Sequence, residues 1–182
     1  MELYEAIDKR RTIRIFKKGA SEDQLRKIIL AGTKAPSGGN RQPWEFIIID
    51  DPKIIDQLAE LKYRHSKKKS PQEGEGDKEI EQWALYQKGS FRNASVVAVC
   101  NRSGDSPGAW LCIENMSLAV VAEGLGSQLV TYRGEEEKEV KKVLGLPENY
   151  ELTSIMNFGE PGEEGSPKKR RPEFSWLHKN RF

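Results

Sequence analysis

The stretch from Ala109 to Glu123 is the strongest constraint on what this chain can fold into. Trp110, Ile113, Met116, Leu118, Ala119, Val120 and Ala122 cover much of a helical circumference, and Gly124 and Gly126 end the run. A helix that is apolar over most of its surface has to be enclosed by neighbouring elements. The rest of the chain offers such neighbours in alternating types. Ser21 followed by Gln24 is a capping-box pair that opens a helix with Leu25, Ile28 and Ile29 inward, ending near Gly32. Glu45 to Asp50 reads as a short isoleucine-rich strand. Asp51-Pro52 then supplies an N-cap and a first-turn proline for a helix carrying Ile55, Leu58 and Leu61. Ser95 to Asn101, built on Val96, Val97, Val99 and Cys100, reads as a strand buried on both faces. Beyond the central helix come a strand at Leu129-Val130-Thr131 and a helix with Val140, Val143 and Leu144 closed by Gly145. A last strand runs from Glu151 to Phe158 before a turn at Gly159-Glu160-Pro161. The pattern is α/β or α+β in a single domain over residues 1–182, without internal repeats.

One region departs from the alternation. Residues 62–82 carry Lys67-Lys68-Lys69, then Pro71, Gly74 and Gly76 among acidic residues, a composition expected to form a charged, mobile loop. Trp83 and Tyr86 follow it, and two uses are open to them: ordinary helix packing, or part of a substrate lid.

Composition bounds the function. The chain has 182 residues, 36% of them hydrophobic, and a mean hydropathy of -0.71, which is lean for a freestanding monomer and favours burial between subunits. No apolar stretch approaches the length of a membrane span, and the N-terminus has an acidic amphipathic pattern unlike that of a signal peptide, so a cytoplasmic protein is expected. A net charge of +2 makes the basic runs local features and argues against a general nucleic-acid surface. Cys100 and Cys112 lack CxxC spacing and read as small buried hydrophobes, while His65 and His178 read as surface residues; no metal site is expected.

Chemistry concentrates in three segments. Arg10-Arg11-Thr12-Ile13-Arg14 follows a helix expected over residues 2–10 with Leu3 and Ile7 on its apolar face. Arginine clusters there either complement the helix dipole or bind an anion through planar forks of donors. Ala35 to Trp44 packs Ser37, Gly38, Gly39, Asn40 and Gln42 between a helix and a strand. It is either a plain connecting loop or one whose polar groups and close backbone approach serve a ligand. Lys168-Lys169-Arg170-Arg171-Pro172 is a solvated charge run, a phosphate site or, with Phe174, Trp176 and Phe182 interleaved, a nucleic-acid contact.

Together and in this order, these segments resemble the FMN-dependent nitroreductase family over most of the chain. The resemblance implies an α+β fold, three-layer α/β/α, with a central, mostly antiparallel sheet flanked by helices and a C-terminal extension packed on a dimer partner. It implies a homodimer with FMN at the subunit interface. By the same resemblance, Arg10, Thr12, Lys168 and Arg170 hold the phosphate, Arg11 belongs to the cluster, and Arg14 faces the ring near N1 and O2. Ser37, Gly38 and Asn40 come from the partner with Gln42 behind them, and Val130 and Thr131 approach the ring edge through the backbone. Ser90 stands near where some members place a lysine against the flavin, and Tyr132 to Glu136 does not reproduce the acidic-glycine segment of the best-known members. The implied activity is hydride transfer from NADH or NADPH to flavin N5, then electron transfer to a nitroaromatic, quinone or related small-molecule acceptor by a ping-pong mechanism. The flavin carries the chemistry, so no catalytic side chain is required. The alternative is a non-enzymatic protein that binds an anion or nucleic acid through the basic tail.

Overall fold

The computed structural model describes residues 1–68, 76–167 and 169–182. Helix α1 (Leu3–Lys9) leads through an extended segment into strand β1 (Phe16–Gly19) and helix α2 (Glu22–Gly32). A short 3-10 turn (Gly38–Asn40) precedes β2 (Trp44–Ile49), followed by α3 (Pro52–Lys67), α4 (Asp77–Gly89) and β3 (Ser95–Arg102). The chain continues through α5 (Ser106–Ala122), β4 (Gly126–Val130), α6 (Glu135–Val143) and β5 (Tyr150–Pro161). The punctuation read from sequence has structural counterparts. Ser21 and Gln24 form both halves of a capping box, and Asp51 accepts from the Lys53 N–H at the start of α3, where Pro52 begins the helix.

The sheet has five strands, and every strand pair is antiparallel. β5 is its axis. Along one edge it pairs β3, from Ser95↔Phe158 to Arg102↔Tyr150, and β3 in turn pairs β2. Past the end of β3, β5 pairs β1, while along its other edge it pairs β4 from Gly126↔Gly159 to Val130↔Ile155. Gly159 therefore lies between two strands, and a Cβ there would stand 2.3 Å from the Lys18 carbonyl oxygen.

Alternation in β3 builds a core on each face of the sheet. Val96, Ala98 and Cys100 join Leu58, Leu61, Val130, Tyr132, Val140 and Ile155 beneath α3 and α6. Val97 and Val99 join Ile28, Cys112, Ile113, Met116, Val120, Met156 and Phe158 beneath α2 and α5. This is the three-layer arrangement expected. α5 is the central helix of one layer, and α2 approaches it so closely that a Cβ on Gly32 would lie 2.7 Å from Met116. Both cysteines are fully buried and unpaired.

Four expectations are corrected. Where it is described, the charged segment 62–82 is mostly helical: 62–67 completes α3, whose Leu61, Lys62 and Ser66 are buried, and 77–82 begins α4. Residues 69–75 of that segment lie outside the described residues. Gly159-Glu160-Pro161 is the end of β5 and pairs with β1, a strand that residue pattern did not disclose. His65 is partly buried where α3 meets α6, with Nδ1 3.8 Å from Glu136 and its ring 6.2 Å from that of Tyr132. Leu3 and Ile7 of α1 are 61% and 44% exposed in the single chain, and Trp110 and Leu111 of α5 are also exposed.

Candidate active site

The extended segment after α1 is aligned by β4. Thr12 and Ser127 form a parallel bridge, and the Ile13 N–H donates to the Ser127 carbonyl at 2.9 Å. Ile13 is buried against Gly126, where a Cβ would come within 2.5 Å of it. Extended backbone alternates its faces. Arg10, Thr12 and Arg14 thus share one side and line a cleft of about 470 Å³ with Ile7, Glu114, Ser117, Ser127, Leu129 and Arg170. Arg11 faces the other way. Its guanidinium donates to the carbonyls of Asp8 and, at 2.9 Å, Arg10, so it caps the end of α1. Helix capping thus falls to Arg11, while Arg10 faces the cleft.

Three guanidinium groups and one carboxylate, Glu114, therefore border this cleft. Arg10, Thr12 and Arg170 can donate to an anion, and Ser117 and Ser127 add hydroxyls. Lys168 lies outside the described residues. A larger cavity of about 750 Å³ lies elsewhere, lined by residues of α3 and α4 and the turn after α4, including Pro52, Ile55, Lys88 and Arg92. None of the candidate site residues read from sequence lines it, and its polar groups do not form a comparable anion-binding set.

Arg14 is held in an unusual setting. Its guanidinium lies over the rings of Trp83 and Tyr86, 5.1 and 5.6 Å from their centroids, and its buried Nε has no hydrogen-bond partner. Glu163, beyond β5, accepts the main-chain N–H groups of Arg14 and Ile15 on Oε1 at 2.5 and 3.2 Å. Its Oε2 accepts the Tyr86 hydroxyl at 2.6 Å. Burial and then Glu163 raise the Tyr86 phenol above its ordinary value, so the phenol stays protonated as the donor. Trp83 and Tyr86 thus do more than pack a helix, because they form the aromatic bed of Arg14.

The other selected residues fall in different places. Val130 is fully buried, and its side chain enters the core beneath α3 and α6; Ser127 and Leu129 face the cleft on the alternate positions of β4. Only the backbone of Val130 remains for any ligand contact. Thr131 is exposed just past the strand, and its carbonyl accepts from Lys62 at 3.4 Å. Ser37, Gly38, Asn40 and Gln42 do not line the cleft of their own chain. They sit on a loop with positive φ at Gly39, Asn40 and Gln42, pinned where the Gln42 N–H donates to Ser37 Oγ at 2.9 Å and Arg41 pairs Asp105 at 2.8 Å. Gly38, Asn40 and Gln42 are exposed.

Two suspected departures are explained by position. Ser90 is fully buried, donates to the Gln87 carbonyl and accepts Asn157 Nδ2, so it lines the docking seam of α4 instead of the cleft. Glu136 is buried on α6 against Lys68 and His65, away from the cleft lining. Burial drives the Cys100 thiol up to about 11 and the Cys112 thiol up to about 12, which leaves both as neutral core groups at physiological pH. Among the described residues no cluster of three metal-ligating side chains occurs, and no helix is long and apolar enough to cross a membrane. Sequence reasoning missed Glu163, Glu114, Ser117 and Leu129. Period-two alternation from Ser127 could have found Leu129, whereas Glu163 reaches Arg14 across 149 residues of chain.

Comparison with known proteins follows the same lines. The model of the nitroreductase family matches residues 7–160. An iodotyrosine deiodinase of Thermotoga neapolitana is 30% identical over 94% of this chain and 94% of its own length. An NADH dehydrogenase of Thermus thermophilus is 27% identical over 90% of this chain and 89% of its own. Among solved structures, an oxidised iodotyrosine deiodinase bound to FMN and 3-iodo-L-tyrosine superposes with a TM-score of 0.82 at 27% identity, covering 100% of both chains.

Proposed function

This chain belongs to the nitroreductase family of enzymes, and we propose that it is an FMN-dependent oxidoreductase drawing on NADH or NADPH. The observation that carries the reading is the cleft itself: Arg10, Thr12, Arg14 and Arg170 converge there, and Arg14 brings a buried donor with no partner. That donor set fits FMN. Arg10, Thr12 and Arg170 would hold the phosphate, because paired guanidinium forks match a dianion better than point charges do, and the family resemblance would add Lys168 to them. The chemistry supplied by bound FMN is hydride acceptance at N5 and electron release to a nitroaromatic, quinone or related acceptor, in ping-pong order. Arg14 would supply positive charge to the ring as it gains electrons, an electrostatic contribution of about 3 kcal/mol in favourable sites. Ile7 and Leu129 supply the apolar part of the cleft lining.

The site is completed by a second copy of the chain. Leu3, Tyr4, Ile7, Trp110 and Leu111 are large apolar residues left exposed on α1 and α5, and a homodimer would cover them. Ser37, Gly38 and Asn40, with Gln42 supporting them, then enter the partner's cleft from a loop that does not serve its own, and the C-terminal extension packs across the partner. Val130 and Thr131 contribute backbone groups. A cytoplasmic setting, where reduced nicotinamides are available, belongs to the same proposal.

A second reading concerns the acceptor. The likeness to iodotyrosine deiodinases spans nearly the whole chain in sequence and in fold, so reductive removal of iodide from an iodinated phenol is an activity to set beside nitroreduction. The visible spectrum of purified protein tests the main reading. A flavin spectrum that bleaches on anaerobic NADH or NADPH, followed by reoxidation with nitrofurazone, menadione or 3-iodo-L-tyrosine, supports it and ranks the acceptors. Protein that is colourless and does not take up FMN refutes it and returns the basic tail to consideration as an anion-binding element. Arg10→Ala and Arg170→Ala should each weaken FMN binding by about tenfold or more, as expected for one lost charge-assisted hydrogen bond.

A further inference from the structure

The cation at the ring end of the cleft is placed by groups that do not line the cleft. Glu163 spends Oε1 on the main-chain N–H groups of Arg14 and Ile15 and Oε2 on the Tyr86 hydroxyl. This carboxylate therefore fixes the backbone from which Arg14 projects and, through the phenol, the aromatic ring on which the guanidinium rests. Both oxygens are engaged by groups other than the guanidinium, so Glu163 holds Arg14 without capping its donors. Trp83 completes the bed and itself stacks at 5.8 Å from Tyr86. Aromatic faces attract a cation without consuming its hydrogen-bond donors. The result is a guanidinium fixed on one side and unpartnered at Nε.

We infer that Glu163 and Tyr86 are positioning residues that set the reduction potential of the bound flavin by holding the Arg14 guanidinium at the cleft. The inference rests on the FMN reading above and extends it to residues outside the anion-binding set. Preorganisation is the physical reason. A flexible arginine on an extended segment could follow solvent instead of the developing negative charge, whereas a fixed one favours the reduced form over the oxidised form without reorganising. Loss of the clamp should therefore affect the two redox states unequally and spare the phosphate end of the cleft.

The test measures the two-electron midpoint potential and the dissociation constant of oxidised FMN in holoprotein for the wild type, Glu163→Ala, Tyr86→Phe, Arg14→Ala and the Glu163→Ala/Arg14→Ala double variant. Glu163→Ala is expected to lose about tenfold of the preference for reduced over oxidised flavin, equivalent to a potential lower by about 30 mV. Tyr86→Phe, which removes one hydroxyl and cannot plausibly prevent folding, should move in the same direction by a smaller amount. Oxidised FMN should bind within about threefold of wild type in both, because Arg10 and Arg170 are untouched. The double variant should fall no lower than Arg14→Ala alone. An unchanged potential in Tyr86→Phe and Glu163→Ala, parallel losses of oxidised and reduced FMN affinity, or additive effects in the double variant would overturn the inference. Wild-type protein that binds no FMN would instead overturn the reading on which it rests.

Discussion

Helices α4 and α5 are docked by opposite means. α5 is docked through apolar side chains: Cys112, Ile113, Met116 and Val120 are at most 1% exposed and interlock with β3, β5 and α2. α4 buries Ala84 and one glutamine, and its seam is polar. Gln128 Nε2 donates to Gln87 Oε1 at 2.8 Å, Asn157 Nδ2 to the Ser90 carbonyl just past the helix at 3.1 Å, and Tyr86 to Glu163. Apolar burial is strong and indifferent to direction, whereas a hydrogen-bonded seam contributes little net stability and fixes geometry closely. α5 is accordingly scaffold, and α4 is an instrument of alignment that carries Trp83 and Tyr86 to Arg14.

The comparison would break first at α5. Met116→Ala should remove about 3 kcal/mol of global stability, since a fully buried side chain leaves both lost contacts and a cavity beside Gly32. A lower urea midpoint with an unchanged slope is the expected observation, and a loss below about 1 kcal/mol would remove the distinction drawn for α5. Asn157→Ala should be milder, costing about 2 kcal/mol because the Ser90 carbonyl loses its side-chain donor in a buried setting. Its signature is local. Hydrogen exchange should accelerate across 77–89 while amides of 106–122 keep their protection, and uniform acceleration would mean that α4 and α5 open as one unit. Gln128→Leu should cost about 1 kcal/mol: it leaves the buried Gln87 Oε1 without its donor, but it also removes an Oε1 that is itself buried and unpartnered, which offsets part of that cost. A larger loss would show the polar seam to be a principal source of stability.

The same contrast explains what was legible from residues. α5 could be read because apolar burial writes a continuous pattern, and the caps of α2 and α3 could be read because Ser21-Gln24 and Asp51-Pro52 act on their own neighbours. Thr12 and Arg14 were placed by the family resemblance alone; the two-residue period of extended chain that sets them beside Arg10 is what the structure adds. Segment 62–82 was misread because its ends are polar and charged yet docked, so composition resembled that of a loop. β1 is four residues long with a single fully enclosed apolar side chain, Phe16, too short to show alternation. Glu163 was invisible for a different reason: its partners are main-chain N–H groups and a tyrosine distant in sequence, and nothing local to Gly162-Glu163-Glu164 distinguishes it from its acidic neighbour.

A third helix extends the contrast to charge and predicts its pH dependence. α6 buries Val140 in the apolar core but also Glu136, whose side chain is 5% exposed and pairs with Lys68 and His65 from α3. The hydrogen bond from Lys68 holds this carboxyl below its ordinary value of 4.5, against the opposing effect of burial. A carboxyl depressed in the folded state adds stability that is complete above its unfolded value and disappears as pH falls through its folded value. Glu136→Gln should therefore melt about 2 °C below wild type near neutral pH. That gap should close as the pH falls below 4.5 and through the lowered folded-state value, beyond which wild type also carries a neutral group. Thermal unfolding of the two proteins on acidification separates the causes: a gap that does not narrow at all below pH 4.5 would come from packing, whereas one that narrows assigns α6 to the charge-docked class, beside α4 and apart from α5.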